Sequence, residues 1–353
     1  MPIPTEPIGS IPRPIYLLEA VNGFSSGKIS AEQLQAATDQ ALRETIKLFE
    51  ETGSPVITDG EQSKPSFATY PVHGCAHIAP GGVTIPFADG HARQLPRLTS
   101  GSFRYATYAS SYAAAARLVT GTPIKQAVIS ASALSLLYPQ EGIPSYSREE
   151  FLEDLISEAE KDIRGCLQAG AVNVQIDFTE GRLAIKLDPS LKLLEQFIDL
   201  NNRVLERFSE DERLRIGVHS CPGGDRDATH SADIRYDDLL PMLFQLKATN
   251  FYIQLASEGD RRHVLGLVRD NLGSNQRIFV GVIDPIHPRL ETAQEVSLRV
   301  LEAAEFIPLA QLGTTDDCGF SPFGDDTSTS RDLAFQKIRA RVSGTALAME
   351  SLR

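Results

Sequence analysis

The 353-residue chain has little of several things, and each shortage narrows what it can be. Its four cysteines, Cys75, Cys166, Cys221 and Cys318, are too few for a disulfide framework. No apolar run approaches the ~18 residues that would span a bilayer, and the first thirty residues lack the basic and apolar regions of a signal peptide. A cytoplasmic protein with reduced thiols is expected, and those thiols are free to ligate metal. Basic side chains are also short, 34 against 46 acidic ones, for a formal net charge of -12. Phosphate backbones and anionic membranes call for a basic face, so neither nucleic acid nor membrane is expected as a partner. Internal repeats and low-complexity tracts are missing too. The remaining expectation is small-molecule chemistry; oligomeric state is not readable from sequence.

What is present is a large apolar fraction, 42%, in a chain longer than the ~250 residues typical of one barrel enzyme. A single elaborated domain over 1–353 is expected, with 1–53 as an N-terminal arm and helices. Residues 7–14, Pro-Ile-Gly-Ser-Ile-Pro-Arg-Pro, read as an ordered loop or extended arm. A helical hairpin follows, with Ser30 as N-cap of a helix running to Thr52 before Gly53.

From residue 54, short β-branched runs alternate with amphipathic helices, the pattern of a parallel sheet with crossover helices. Strands are expected at 55–59, 125–130, 171–177, 214–219, 250–255, 277–283 and 309–313, with an eighth near 103–109 inside an enlarged, poorly periodic loop region. Helices are expected at 147–169, 191–208, 236–246, 260–272 and 292–304. This predicts an α/β fold, a (β/α)8 TIM barrel. An open doubly wound sheet is the rival, but no glycine-rich phosphate fingerprint follows the first strand.

Barrels place chemistry at the C-terminal strand ends, and the polar residues gather there: Asp59-Gly60-Glu61, Asp177, His219-Ser220-Cys221, Gln254, Asp284 and Asp316-Asp317-Cys318. His219 and Cys221 are two apart, so a strand sends both to one side. Cys318, at the last strand end, projects into the same barrel mouth. One imidazole and two thiolates suit zinc, and three protein ligands leave a position open for substrate. The competing reading is inert buried cysteine. A second cluster, His73-Gly-Cys75-Ala-His77, has closer spacing but lies in an irregular stretch, where it reads as a loop feature. Cys166 reads as core, His230 and His263 as surface or helix residues, and Asp316, Asp317, Asp325 and Asp326 as helix caps.

Taken in order, these motifs resemble the catalytic half of cobalamin-independent methionine synthases over nearly the whole chain. Ile8-Gly9-Ser10 resembles that family's Ile-Gly-Ser, Asp59-Gly60-Glu61 its Gly-Glu strand end, and Val174-Gln175-Ile176-Asp177 its Ile-Gln-Ile-Asp strand. His219-Ser220-Cys221 and Asp317-Cys318-Gly319 resemble its two zinc motifs. The resemblance implies a barrel shared with uroporphyrinogen decarboxylases and zinc on His219, Cys221 and Cys318. It also implies that Ile8, Ser10, Glu61 and Asp177 bind the amino-acid part of a homocysteine-like thiol. The family's fourth ligand, a Glu in Ile-Glu-Thr, aligns with Gln254 in Ile253-Gln254-Leu255; Glu258 is the alternative. A neutral amide there would leave zinc a stronger Lewis acid toward a thiol. Asp284-Pro285-Ile286-His287 resembles the family's Asp-Ile-His with one residue inserted, which makes His287 or Asp284 a proton donor, or His287 a loop histidine.

The implied activity is zinc-dependent alkyl transfer to a small thiol, as in methionine biosynthesis, with a methyl donor or an opened epoxide supplying the alkyl group. The chain is too short for the second barrel that helps hold folate in full-length relatives. Two readings compete: a metal-free decarboxylase or lyase on the same barrel, and a non-catalytic zinc-binding barrel.

Overall fold

The computed structural model describes residues 3–352. Six parallel strands form one continuous sheet: β1 (Lys125–Ile129), β2 (Asn173–Asp177), β3 (Ile216–Ser220), β4 (Asn250–Ile253), β5 (Arg277–Ile283) and β6 (Leu312–Asp316), side by side in chain order. Nearly every strand residue is buried, because helices cover the sheet outside and side chains fill it inside. Capping boxes start several crossover helices. Ser147 with Glu150 opens Arg148–Gln168, and Thr292 with Glu295 opens Ala293–Ala304. Ser30 with Gln33 opens Ala31–Glu51.

Two further staves close the (β/α)8 barrel. Ile57 bridges Ile124 in parallel, beside β1, and Thr5 bridges Thr314 in parallel, beside β6. The Glu6 N–H donates to the Thr314 carbonyl (3.0 Å), and Thr314 N–H to the Pro4 carbonyl (2.9 Å). The two staves meet where Ile11 N–H donates to the Gly60 carbonyl (3.0 Å) and Thr58 Oγ1 to the Gly9 carbonyl (2.8 Å).

The eighth strand is therefore the proline-rich N-terminal arm, not the segment near 103–109, which is irregular. Prolines at 4, 7, 12 and 14 remove ladder donors and mask the strand signal, so the arm pairs through single bridges. The last expected strand, 309–313, starts three residues later, at Leu312.

Between Ile57 and β1 the enlarged loop region folds into two small antiparallel ladders, Ile78–Ala79 with Arg97–Leu98 and Thr84–Pro86 with Ala92–Gln94. The closing helix Arg331–Ser351 is tied down by two buried ion pairs, Arg341 with Asp316 and Lys337 with Glu291 (2.9 Å). No described helix is long and apolar enough to cross a membrane.

Candidate metal and substrate site

The strand register decides which side chains meet. Asp177 on β2 lies opposite His219 on β3, and His219 lies opposite Tyr252 on β4. His219 is buried, with Nδ1 3.1 Å from the Tyr252 carbonyl oxygen. A carbonyl only accepts, so Nδ1 carries the proton and Nε2 keeps its lone pair. That Nε2 is buried and has no partner. The Cys221 and Cys318 sulfurs are 3.3 Å apart, and the three ligand atoms lie within 4.8 Å of one another. All four cysteines are free thiols.

Sharing a proton with Cys221, burial and the neighbouring sulfur together push the Cys318 thiol up. Two adjacent sulfurs and an imidazole nitrogen with a free lone pair are a donor set for a metal cation, and soft sulfur with borderline nitrogen fits zinc. Among the described residues no carboxylate joins this group.

Gln254 and Glu258 are not equivalent. Glu258 pairs with Arg182, whose guanidinium lies 3.9 Å over the Tyr236 ring, and it accepts from Gln254 Nε2 (3.0 Å). Glu258 is thus held by Arg182 and Gln254, while the Gln254 amide donates through its nitrogen and keeps its oxygen as an acceptor.

The motif glycines and aspartates have geometric reasons. Asp317 points back across the barrel top and accepts from Leu255, Ala256 and Ser257 N–H (each 2.8 Å) and from Ser257 Oγ (2.7 Å). It holds the loop that follows Gln254. A Cβ on Gly281 would lie 1.8 Å from Asp317 Oδ1, and one on Gly319 2.1 Å from Ser10 Oγ. Asp317-Cys318-Gly319 therefore supplies a loop clamp, a ligand and clearance for Ser10. The helix-cap reading of these aspartates is corrected: Asp316 pairs with Arg341, and Asp325 with Arg93 and Arg226. Asp326 braces a turn by accepting from Ser328 N–H (3.0 Å).

A pocket of about 30 Å³ is lined by Ile8, Ser10, Glu61, Asp177, His219 and Cys318, with glycines and Thr179 around them. Glu61 sits there at a backbone cost, with φ +55 straight after Gly60 at φ +64. Glu61 Oε1 accepts from Lys64 (2.9 Å), and Asp177 Oδ1 from Gln175 Nε2 (2.7 Å). Gln175 Oε1 in turn accepts from the fully buried Lys125 (2.7 Å). Burial, opposed by nearby His219, raises the Asp177 carboxyl to about 6. Glu61 and Asp177 face Lys64, and the buried Asp59 and Arg13 nearby offset one another, so this end of the pocket has charge to spare for a second cation.

The remaining candidate residues occupy varied positions. His287 is exposed, its Nδ1 accepting from Arg289 N–H (3.1 Å), and it lines no described cavity. Asp284 uses its carboxylate to accept from Ile286 (3.0 Å) and His287 (3.2 Å) N–H groups. The pair forms a turn, and Ile286 between them approaches the same Gly224 that Cys318 Sγ approaches. His73 and His77 are exposed, and Cys75 bonds to the Arg104 carbonyl (3.7 Å), so that cluster is a loop feature. Cys166 is core, as expected. His230 is buried, not a surface or helix residue, and burial lowers its pKa to about 4.

Sequence reasoning missed Lys64 and Glu180, and it took in Gln175 as part of a strand motif without giving it a role. Only their nearness to strand ends could have marked them. Glu180 is buried, accepts from Ser130 Oγ (2.5 Å) and from Ser132 Oγ, and burial raises it to about 7. A carboxyl raised on folding binds more protons in the native state. Stability is then full below the ordinary 4.5 and falls, by up to about 3 kcal/mol, as pH rises to about 7. Glu180→Gln should flatten that slope in denaturant unfolding followed from pH 4 to about 8.

The chain is similar in sequence and fold to proteins of one family. The family described as cobalamin-independent synthase, catalytic domain, matches residues 3–334. A methionine synthase of Saccharolobus islandicus is 23% identical over 99% of this chain and 96% of its own length. One from Sulfurisphaera tokodaii is 22% identical over 99% and 94%. Among solved structures, a B12-independent methionine synthase from Shewanella, in complex with selenomethionine, superposes with TM-score 0.79 at 19% identity, covering 100% of this chain and 99% of that one. A putative vitamin-B12 independent methionine synthase from Listeria monocytogenes gives 0.71 at 21% identity, covering 98% and 97%. With the motif residues gathered in one barrel mouth and the match running almost end to end, the chain belongs to the cobalamin-independent synthase catalytic-domain family.

Proposed function

We propose that this protein is a zinc-dependent methyltransferase whose acceptor is a small amino thiol of the homocysteine class, working in the cytoplasm. The observation that carries the reading is the unpartnered His219 Nε2 beside the Cys221 and Cys318 sulfurs, at the end of a pocket that Glu61 and Asp177 line. His219, Cys221 and Cys318 would hold the metal, with the Gln254 amide oxygen as fourth ligand. Bound zinc supplies a Lewis acid that favours the thiolate form of a substrate whose free pKa is near 8.5.

The protein's own residues do the rest. Glu61 and Asp177 take the α-ammonium, since Lys64 offsets only one of their charges. Ser10, whose Oγ accepts from Ser321 N–H (3.2 Å), positions the amino-acid end beside Ile8. Holding the thiol between the metal ligands and the two carboxylates confers the effective-concentration advantage of a bound nucleophile. His287 and Asp284 have no part in the reading unless the loop carrying them closes over the site.

A decarboxylase would want a cavity lined by free arginines. Arg13 is instead committed to the carbonyls of Glu61 (2.8 Å) and Lys64 (2.9 Å), and Arg182 to Glu258. The test is a thiol titration of the zinc-loaded protein with a chromophoric chelator as competitor. Homocysteine should bind one per chain and hold zinc against the chelator. Its des-amino analogue should bind at least about tenfold more weakly. Equal binding of both would remove the amino-thiol assignment.

A further inference from the structure

A second cavity, of about 1230 Å³, adjoins the metal pocket, and Phe67, Thr179, Gly223 and Gly224 line both. Helix Ile15–Ser25 contributes Leu17, Leu18 and Val21 to its wall, and the inserted ladder region contributes Ile85, Phe87 and Leu95. The enlarged loop after the second stave is thus the far wall of this space.

The cations around the cavity are internally spent, while the Asp39 carboxylate on its wall accepts from Gln35 Nε2 (2.8 Å) and has no ion-pair partner among the described residues. Arg13 donates to backbone carbonyls, with Ser321 Oγ at 3.2 Å and the Glu61 and Lys64 carbonyls beyond. Lys64 holds Glu61 Oε1 (2.9 Å) and the Ala127 carbonyl (2.8 Å). Arg93 pairs with Asp225 and, through both terminal nitrogens, with Asp325 (2.8 and 3.0 Å). His230 lines the wall as a neutral imidazole. An anionic ligand entering here would lose its hydration without meeting an unpaired cation, a cost that excludes it.

One polar group retains capacity. Both serine hydroxyls donate to Glu180 Oε1, and Oε2 is buried without a partner, on a residue that lines this cavity. With Asp177 as its acidic neighbour and burial holding it protonated up to about pH 7, the carboxyl has a proton on Oε2 and no acceptor for it.

We propose that this cavity is the alkyl-donor subsite and that the donor is an uncharged, largely apolar molecule with a hydrogen-bond-accepting oxygen or nitrogen turned toward Glu180. In the transfer the donor's carbon–heteroatom bond breaks with both electrons leaving on the heteroatom. The sulfur–carbon bond forms, and the proton lost by the thiol ends on the leaving atom, so no oxidant or reductant is needed. The word donor rests on the thiol-transfer reading; the ligand class rests on the cavity alone.

The probe is prodan, an uncharged naphthyl ketone whose emission reports polarity and hydrogen bonding at its carbonyl, added to the full-length zinc-loaded protein. One prodan should bind per chain with blue-shifted emission. Uncharged 2-propionylnaphthalene should compete at least about tenfold better than 2-naphthoate. Glu180→Gln, which keeps a donor without charge, should bind within about threefold of wild type, and Glu180→Leu about tenfold more weakly. Ala133→Trp, which fills a cavity wall, should abolish binding while zinc content and circular dichroism stay unchanged. The inference is overturned if 2-naphthoate competes as well as the ketone, if Glu180→Leu binds like wild type, or if a naphthylammonium binds best and Glu180→Gln loses it. Prodan binding should survive loss of Cys221 and Cys318. Failure of the zinc reading and failure of the donor-subsite reading therefore give different results.

Discussion

Cys318→Ser should abolish stoichiometric zinc and with it all measurable methyl transfer, while leaving the fold intact. A serine hydroxyl stays protonated at neutral pH and offers a weak neutral oxygen where the site has a sulfur 3.3 Å from its partner. Outer residues that merely orient ligands already cost 10–100-fold in metal affinity when lost, so a ligand itself should cost at least about a hundredfold. Cys318 also faces the pocket and does not support the core, so its removal should change stability by less than about 1 kcal/mol. Elemental analysis after dialysis against a mild chelator, with denaturant unfolding as the control, separates the two effects. Cys166→Ser, in a helix facing the core, should show the reverse: full zinc and lowered stability.

Asp317→Ala should be the most damaging substitution that touches no ligand. Its carboxylate is the acceptor for three backbone N–H groups and one hydroxyl across the barrel top. Removing it leaves buried donors without partners, at a cost of about 3–5 kcal/mol. The loop it releases follows Gln254 directly, so zinc affinity should fall along with the unfolding free energy. Gly281→Ala should reproduce both effects in milder form, because the added methyl would displace the same carboxylate. A zinc affinity unchanged in Asp317→Ala would show that this loop does not position the fourth ligand.

What could be read in the sequence was whatever depends on local pattern. Five of the six ladder strands and the long crossover helices are where hydrophobic periodicity and capping residues put them, because those elements bury one face each. The N-terminal stave was not legible. Pro4 and Pro7 erase strand periodicity, and Thr5 is held only by its neighbour Thr314 across 309 residues of chain. The three sulfur and imidazole residues were legible because strand ends converge in a barrel and because their two motifs resemble a family's zinc motifs; the spacing alone was a weak pattern. The role of Asp317 was not. Its partners are backbone groups of another strand's loop, and backbone groups carry no sequence signature. Glu180 and Lys64 escaped for a similar reason: a buried carboxyl between two serines, or a lysine turned inward onto Glu61, reads in sequence like any solvated charge. His287, read as a proton donor or a loop histidine, is exposed on a turn that follows the fifth ladder strand.

The central claim is that His219, Cys221 and Cys318 hold a zinc ion with a position open for a thiol. Zinc K-edge X-ray absorption of the protein, before and after adding homocysteine, tests it directly. Two sulfur neighbours at about 2.3 Å should become three on addition of the thiol. A sulfur count that stays at two, or zinc that remains after both Cys221 and Cys318 are replaced by serine, would contradict it.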